Sequence, residues 1–207
     1  MATAVLAIGS AVAAVLLSLL LLTLLRGTFS IWPTPGPGTW QSYVFWPLFR
    51  GLNVLCFIMA VLDTPGYLGL PAWLRAIALS ALVTSGALFI YAFRVLGRES
   101  SYGARDGLVT GGIYRWSRNP QNAMLVAVYG CLAVATDGSG TYLLCASTMT
   151  VYTLMVLCEE PWLEKAYGTS YRRYCRRVPR FFNWKRALIL VQVAAKRRGR
   201  THRLGVE

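Results

Sequence analysis

Met1 to Leu25 contains no charged side chain. As a helix, that run is about as long as the hydrocarbon core of a bilayer is thick. Four more apolar blocks follow, at about 40–62, 72–96, 121–136 and 141–158. This patterning predicts an all-α, polytopic membrane bundle of about five transmembrane helices with a cytoplasmic C-terminal helical tail. The overall composition, 56% hydrophobic, agrees. No basic residue precedes the first run, and its apolar stretch exceeds that of a secretory signal peptide, so a retained helix is expected.

The connections are rich in breakers. Residues 27–38 hold three prolines and three glycines, and residues 63–71 hold two of each. Asp137-Gly138-Ser139-Gly140 is a tight-turn sequence, which predicts a helical hairpin from the fourth and fifth runs. Gly86 is expected to allow close helix packing. Three parts follow: 1–71 with the first two helices, a core at 72–183, and 184–207 as a basic interfacial helix and disordered tail.

The net charge of +13 is concentrated. Residues 159–207 carry thirteen Lys or Arg against four Glu, and residues 94–120 carry five Arg against Glu99 and Asp106. The Asp63 and Asp137 turns carry no basic residue. Five helices put the two basic segments on one side and both acidic turns on the other. The positive-inside rule then predicts the N-terminus out and the C-terminus cytoplasmic. The tail arginines face anionic headgroups, and a nucleic-acid partner is excluded. Nothing in the sequence speaks to oligomeric state.

The stretch Gly107 to Asn122, GLVTGGIYRWSRNPQN, is polar and lies between apolar runs. A loop of this kind must be satisfied by protein or water, not lipid. Asn119-Pro120 has the signature of a helix start, with Asn as cap and Pro in the first turn. Such a start also presents free N–H groups to a ligand. Gly107, Gly111 and Gly112 suit turns or close backbone approach to a ligand. Glu159-Glu160-Pro161 predicts a new helix beginning at Pro161 and ending at Gly168. Two acids at the end of an apolar run are more than a cap requires and point to function. Arg50, inside the second run, either snorkels to the surface or faces the bundle interior. The single histidine, His202, lies in the tail, and no cysteine spacing suits zinc, so His-based nucleophiles and metal sites are not expected. No GxGxxG or P-loop pattern is present.

Leu108-Val109-Thr110-Gly111-Gly112-Ile113-Tyr114-Arg115, Arg118-Asn119-Pro120, Glu159-Glu160-Pro161-Trp162-Leu163, Tyr167-Gly168-Thr169-Ser170-Tyr171-Arg172-Arg173-Tyr174 and Val178-Pro179-Arg180-Phe181 occur in this order. The set resembles the isoprenylcysteine carboxyl methyltransferases and phospholipid methyltransferases, integral membrane enzymes that use S-adenosylmethionine. The resemblance covers roughly 86–182. It implies that Asp106, Gly107, Leu108 and Val109, with Tyr114, line the adenosine of the cofactor. It implies that Asn119, Pro120, Gln121 and Asn122 hold the cofactor at the start of the fourth helix, with Gly112 and Arg118 in the same cradle. Glu159 would bind the cofactor amino group, with Glu160 as partner or co-ligand. Arg172, Arg173 and Arg177 would neutralise the acidic pocket, meet the cofactor carboxylate or bind headgroups.

Two departures limit the inheritance. Asn119 and Asn122 stand where relatives usually carry a histidine and an aromatic. Met155 stands where the prenylcysteine enzymes carry an arginine for the substrate carboxylate, which speaks against prenylcysteine methylation. The acceptor expected is a lipophilic small molecule or lipid, contacted by Met155 and, if anionic, by Arg50. Methyl transfer from a sulfonium is an in-line displacement that alignment can accelerate without a strong protein base, so no catalytic residue is assigned. Two other readings stay open: a membrane reductase using NADPH on a sterol-like or isoprenoid substrate, since sterol reductases resemble this architecture, and a non-catalytic membrane binding protein.

Overall fold

The computed structural model describes residues 1–26, 28–96 and 107–182. Helices α1 (Ala2–Leu25), α2 (Trp40–Leu62) and α3 (Ala72–Leu96) precede a 3-10 turn at Gly112–Arg115. Helices α4 (Pro120–Thr136) and α5 (Ser139–Arg177) follow, and no strand occurs among the described residues. The expected helical membrane bundle is present. Helices α1, α2, α3 and α5 are long and apolar enough to cross a membrane. Helix α4 has 17 residues, about 25 Å, a little short of a hydrocarbon core of about 30 Å. It packs on α3 and α5, while α1 packs on α5 and α2, which puts α5 at the centre.

Helix packing uses other glycines than the one expected. A Cβ at Gly86 would meet nothing within 4 Å. The close approaches are at Gly9, where a Cβ would lie 2.8 Å from Leu144 Cδ1, and at Gly140, where it would collide with the Met59 side chain. Gly9 belongs to a buried stripe with Ala13, Leu16 and Leu20, spaced as one helical face. Gly86 lies on α3, of which only about a tenth is covered by protein.

Helix α5 also differs from expectation. It does not restart at Pro161 but runs through it, whereas the break expected at Gly168 is present: non-helical backbone there (φ 51, ψ −123) divides α5 into two helical pieces across a kink. Pro161 forfeits only the bond to the Leu157 carbonyl, and that carbonyl lies where the helix leaves the apolar run and water can satisfy it. The left-handed conformation at residue 168 suits glycine. The interfacial helix expected at 184–195 and the tail beyond lie outside the described residues.

The two acidic turns meet at one end of the bundle. The Leu68 and Leu70 N–H groups donate to the two Asp137 carboxylate oxygens, each at 3.0 Å. The Gly66 and Tyr67 N–H groups donate to the Asp137 carbonyl at 2.9 and 2.8 Å. Asp63 closes the other half: its Oδ2 accepts from Thr141 N at 2.7 Å and Thr141 Oγ1 at 2.9 Å. The carboxylate that ends α2 thus caps the start of α5, where the helix dipole favours negative charge. Farther along the bundle, Asn53 Oδ1 accepts from the hydroxyls of Tyr129 and Tyr152 (2.7 Å for the latter). This ties α2, α4 and α5 in a region where an unpaired polar group is costly.

Asp137 is fully buried and adopts a left-handed conformation (φ 55). Burial opposes its charge, but the Leu70 and Leu68 N–H groups, the Tyr142 hydroxyl and Arg75 outweigh it and hold the carboxyl below its usual range. The unfolded value is about 3.9. Its stabilisation is therefore complete above that value and is lost as pH falls through the lower folded pKa. Asp137→Asn keeps the backbone conformation, since Asn tolerates it, but removes the charge. Melts in detergent should show a lower Tm for the variant at neutral pH, with wild type and variant converging only as pH falls below the unfolded carboxyl value of about 3.9.

Candidate functional site

At the end of the bundle opposite the acidic turns, the helices enclose a cavity of about 320 Å³, within the usual range for small-molecule sites. Its wall on α5 is one helical face: Tyr152, Met155, Glu159, Trp162, Leu163 and Tyr167. The start of α2 adds Trp46, Phe49 and Arg50; the end of α3 adds Phe89 and Phe93; the start of α4 adds Gln121, Asn122 and Leu125. The segment before α4 supplies Gly107, Leu108, Val109, Tyr114, Arg118 and Asn119. Aromatic and aliphatic groups dominate the α2 and α3 side, and polar groups dominate the loop side.

The loop is held in place by the chain that follows α5. Tyr174 donates its phenol to the Tyr114 carbonyl at 2.6 Å. Arg118 N donates to the Pro179 carbonyl at 3.0 Å, and Asn119 Nδ2 donates to the Arg180 carbonyl at 3.1 Å. The expected side-chain cap of α4 by Asn119 is therefore absent. Its amide is turned to the Arg180 carbonyl instead, an acceptor in the chain after α5. This explains the Val-Pro-Arg sequence after α5: its carbonyls strap the Arg118-Asn119 corner. Burial pushes the Tyr114 phenol well above its ordinary pKa, so Tyr114 stays neutral.

The adjacent glutamates have different surroundings. Glu160 is clamped by two arginines from separate segments, Arg118 (3.1 Å) and Arg180 (2.8 and 2.6 Å, two parallel bonds). The pairing with Glu160 raises the Arg180 pKa further. Arg118 also reaches the Tyr171 hydroxyl at 3.2 Å and Cys175 Sγ at 2.7 Å. Glu160 does not line the cavity, whereas Glu159 does. Glu159 has no ion pair among the described residues. Beside it, Trp32 is 4% exposed, stacks on Phe45 at 4.9 Å and meets Trp46 edge-on. Trp32 interacts electrostatically with Glu159, but its indole N–H makes no hydrogen bond of normal geometry.

Of the residues singled out from the sequence, Gly107, Leu108, Val109, Tyr114, Arg118, Asn119, Gln121, Asn122 and Glu159 line this cavity, as do Arg50 and Met155. Gly112, Pro120 and Glu160 do not, and Asp106 lies outside the described residues. The Arg50 guanidinium sits 5.3 Å over the Trp46 ring. Arg172 pairs with Glu164 at 3.2 Å instead of entering the cavity. Sequence reasoning missed the aromatic groups that the α1–α2 connection and α2 bring to the cavity, Trp32, Trp46 and Phe49. The clamp of Glu160 by Arg180 was also missed, since twenty residues separate the pair.

Residues 73–170 match the model of the phospholipid methyltransferase family, just under half of the chain. This core is similar to the phospholipid methyltransferase family. The match runs from the first turn of α3 to just past Gly168, so it contains the loop at 107–122 and both glutamates. No curated protein and no solved structure matches the chain. The family and the helical bundle together support an integral membrane methyltransferase. The Glu160 clamp, the Tyr174 tie and the α4 start all fall in or against the family segment. Tyr174→Phe leaves the Tyr114 carbonyl without its donor and should cost about 1–2 kcal/mol. The measurable outcome is a lowered Tm and faster limited proteolysis within 107–119.

Proposed function

We propose that the chain transfers a methyl group from S-adenosylmethionine to a lipophilic acceptor that reaches the cavity from the bilayer. The observation that carries this reading is Glu159, a carboxylate that lines an aromatic cavity and has no ion pair among the described residues. A partly buried carboxylate without an ion pair favours a cationic ligand. The Trp32 N–H beside it, which makes no hydrogen bond of normal geometry, offers a donor for the same ligand. S-adenosylmethionine, when bound, supplies an electrophilic methyl group on a sulfonium.

The residues divide by chemistry. Glu159 pairs with the ammonium. Gly107, Leu108, Val109 and Tyr114 wall the adenosine, and Arg118, Asn119, Gln121 and Asn122 supply donors and acceptors at the α4 start, where free N–H groups point outward. Asp106 would join them from outside the described residues. The aromatic rings favour positive charge and exclude water. On the apolar side, Phe49, Phe89, Phe93, Leu125 and Met155 suit an acyl or isoprenoid chain, and Arg50 meets any anionic group on it. Catalysis then rests on alignment and proximity, with no general base required of the chain.

Calorimetry of the purified protein in nanodiscs should detect S-adenosylmethionine binding and none for NADPH. Glu159→Gln should weaken that binding at least about tenfold; unchanged affinity would refute the role given to Glu159, and no binding by wild type would refute the reading. Incubating membranes with labelled methyl donor, then identifying the labelled lipid, names the acceptor. We further infer that the cavity end is cytoplasmic, on the charge asymmetry of the loops. A reporter fused to the C-terminus should be active only if it is cytoplasmic, and activity of an external reporter would reverse the orientation.

A further inference from the structure

Behind the loop that borders the candidate site lies a second concave surface, lined by Leu108, Thr110, Arg115, Ser170, Arg173, Tyr174, Arg177 and Val178. It is built from two separate segments. The loop brings Thr110 and Arg115, and the last turns of α5 bring Ser170, Arg173 and Arg177. Those three lie at helical spacing, so they share one face. Three arginines line the surface and no acidic residue does. Arg115, Arg173 and Arg177 have no ion pair among the described residues, unlike Arg118, Arg172 and Arg180, which each hold a glutamate.

The arrangement is unfavourable by itself. Arg173 and Arg177 are like charges at i and i+4, which destabilises a helix, and Arg115 adds a third charge from across the gap. The end of a helix favours basic residues, which accounts for the two on α5. It does not account for Arg115, delivered by a different segment to the same concavity. An anion with several acceptor oxygens would relieve the repulsion and satisfy the fork-like donors of the guanidinium groups, and the Thr110 and Ser170 hydroxyls supply neutral donors beside them. The ligand chemistry this selects is a phosphate group.

We propose that Arg115, Arg173 and Arg177, with Thr110 and Ser170, form a phosphate-binding site distinct from the main cavity. The group is carried either by an anionic lipid headgroup at the membrane surface or by a small soluble phosphate. The two surfaces share Leu108 and Tyr174, so an occupant would brace the loop from its outer side. The proposal does not depend on the methyl-transfer reading, because it rests on charge and geometry outside the main cavity.

The test uses the full chain in two arms. Inorganic phosphate is titrated calorimetrically into protein held in phosphatidylcholine nanodiscs. Separately, native mass spectrometry counts phosphatidic acid molecules retained by protein released from mixed vesicles of phosphatidylcholine and phosphatidic acid. Saturable binding is expected in at least one arm, and the arm that shows it identifies the source. Arg173→Gln with Arg177→Gln should weaken it at least about tenfold, and Arg115→Gln alone should also weaken it. Arg176→Gln removes the same charge from the same helix outside this surface and should leave binding within about twofold. Each variant's Tm is measured alongside, so that a folding defect is separated from lost binding, and Arg115→Lys, which keeps the charge, should retain part of the affinity. Absence of saturable binding in both arms overturns the site. Equal losses for Arg176→Gln and the double variant also overturn it, because they would show only a diffuse surface charge.

Discussion

Glu160 is held by two arginines from separate segments of the chain, and that clamp ties the loop before α4 to the chain after α5. Arg118 arrives from the loop before α4, and Arg180 from the chain after α5. A half-buried carboxylate with two guanidinium partners is stable only if both segments stay where they are, since removing one partner leaves the others uncompensated. The backbone bonds from Arg118 and Asn119 to the Pro179 and Arg180 carbonyls run in parallel with it. The polar loop is thereby satisfied by protein, which is the condition for such a loop to exist at the edge of a bilayer.

The clamp also gives the two glutamates different surroundings. Glu160 has its charge consumed by the chain, and Glu159, one residue earlier and about 100° around the helix, turns to the cavity. Adjacent residues on a helix cannot share a direction, so a Glu-Glu pair at the exit of α5 serves two faces at once. One face closes the structure and the other turns a carboxylate to the cavity. The acidic clasp at the far end of the bundle does corresponding work without a ligand: Asp63 and Asp137 spend their charges on N–H groups of neighbouring segments, and the helices are fixed at both ends around the Asn53, Tyr129 and Tyr152 contacts.

Much of this was legible in the residues. Uncharged runs announce membrane helices because lipid admits few alternatives, and Asp137-Gly138 announces the hairpin because a left-handed residue is needed there. Local rules failed where a distant partner outcompeted the local one. Asn119 has the sequence of a cap, but the Arg180 carbonyl took its amide. Pro161 has the sequence of a helix start, but the helix continued because the lost bond lay at a solvated boundary. Gly86 lies on a lipid-facing surface, so its small size has nothing to admit. Trp32 sits in a Pro-rich connection with no periodicity to mark it, and only the fold turns it against Glu159.

The sequence by itself determined the class of the protein, the order of the five long helices among the described residues, and the polar stretch that interrupts them, because hydropathy, charge and breaker residues act over a few positions of chain. The tertiary structure decided which glutamate faces the cavity, which arginines are neutralised and which are left over, and that α2 and the α1–α2 connection complete the site. Those outcomes depend on contacts between groups tens of residues apart, where competition for a partner is settled by distance and desolvation and leaves no periodic mark in the chain.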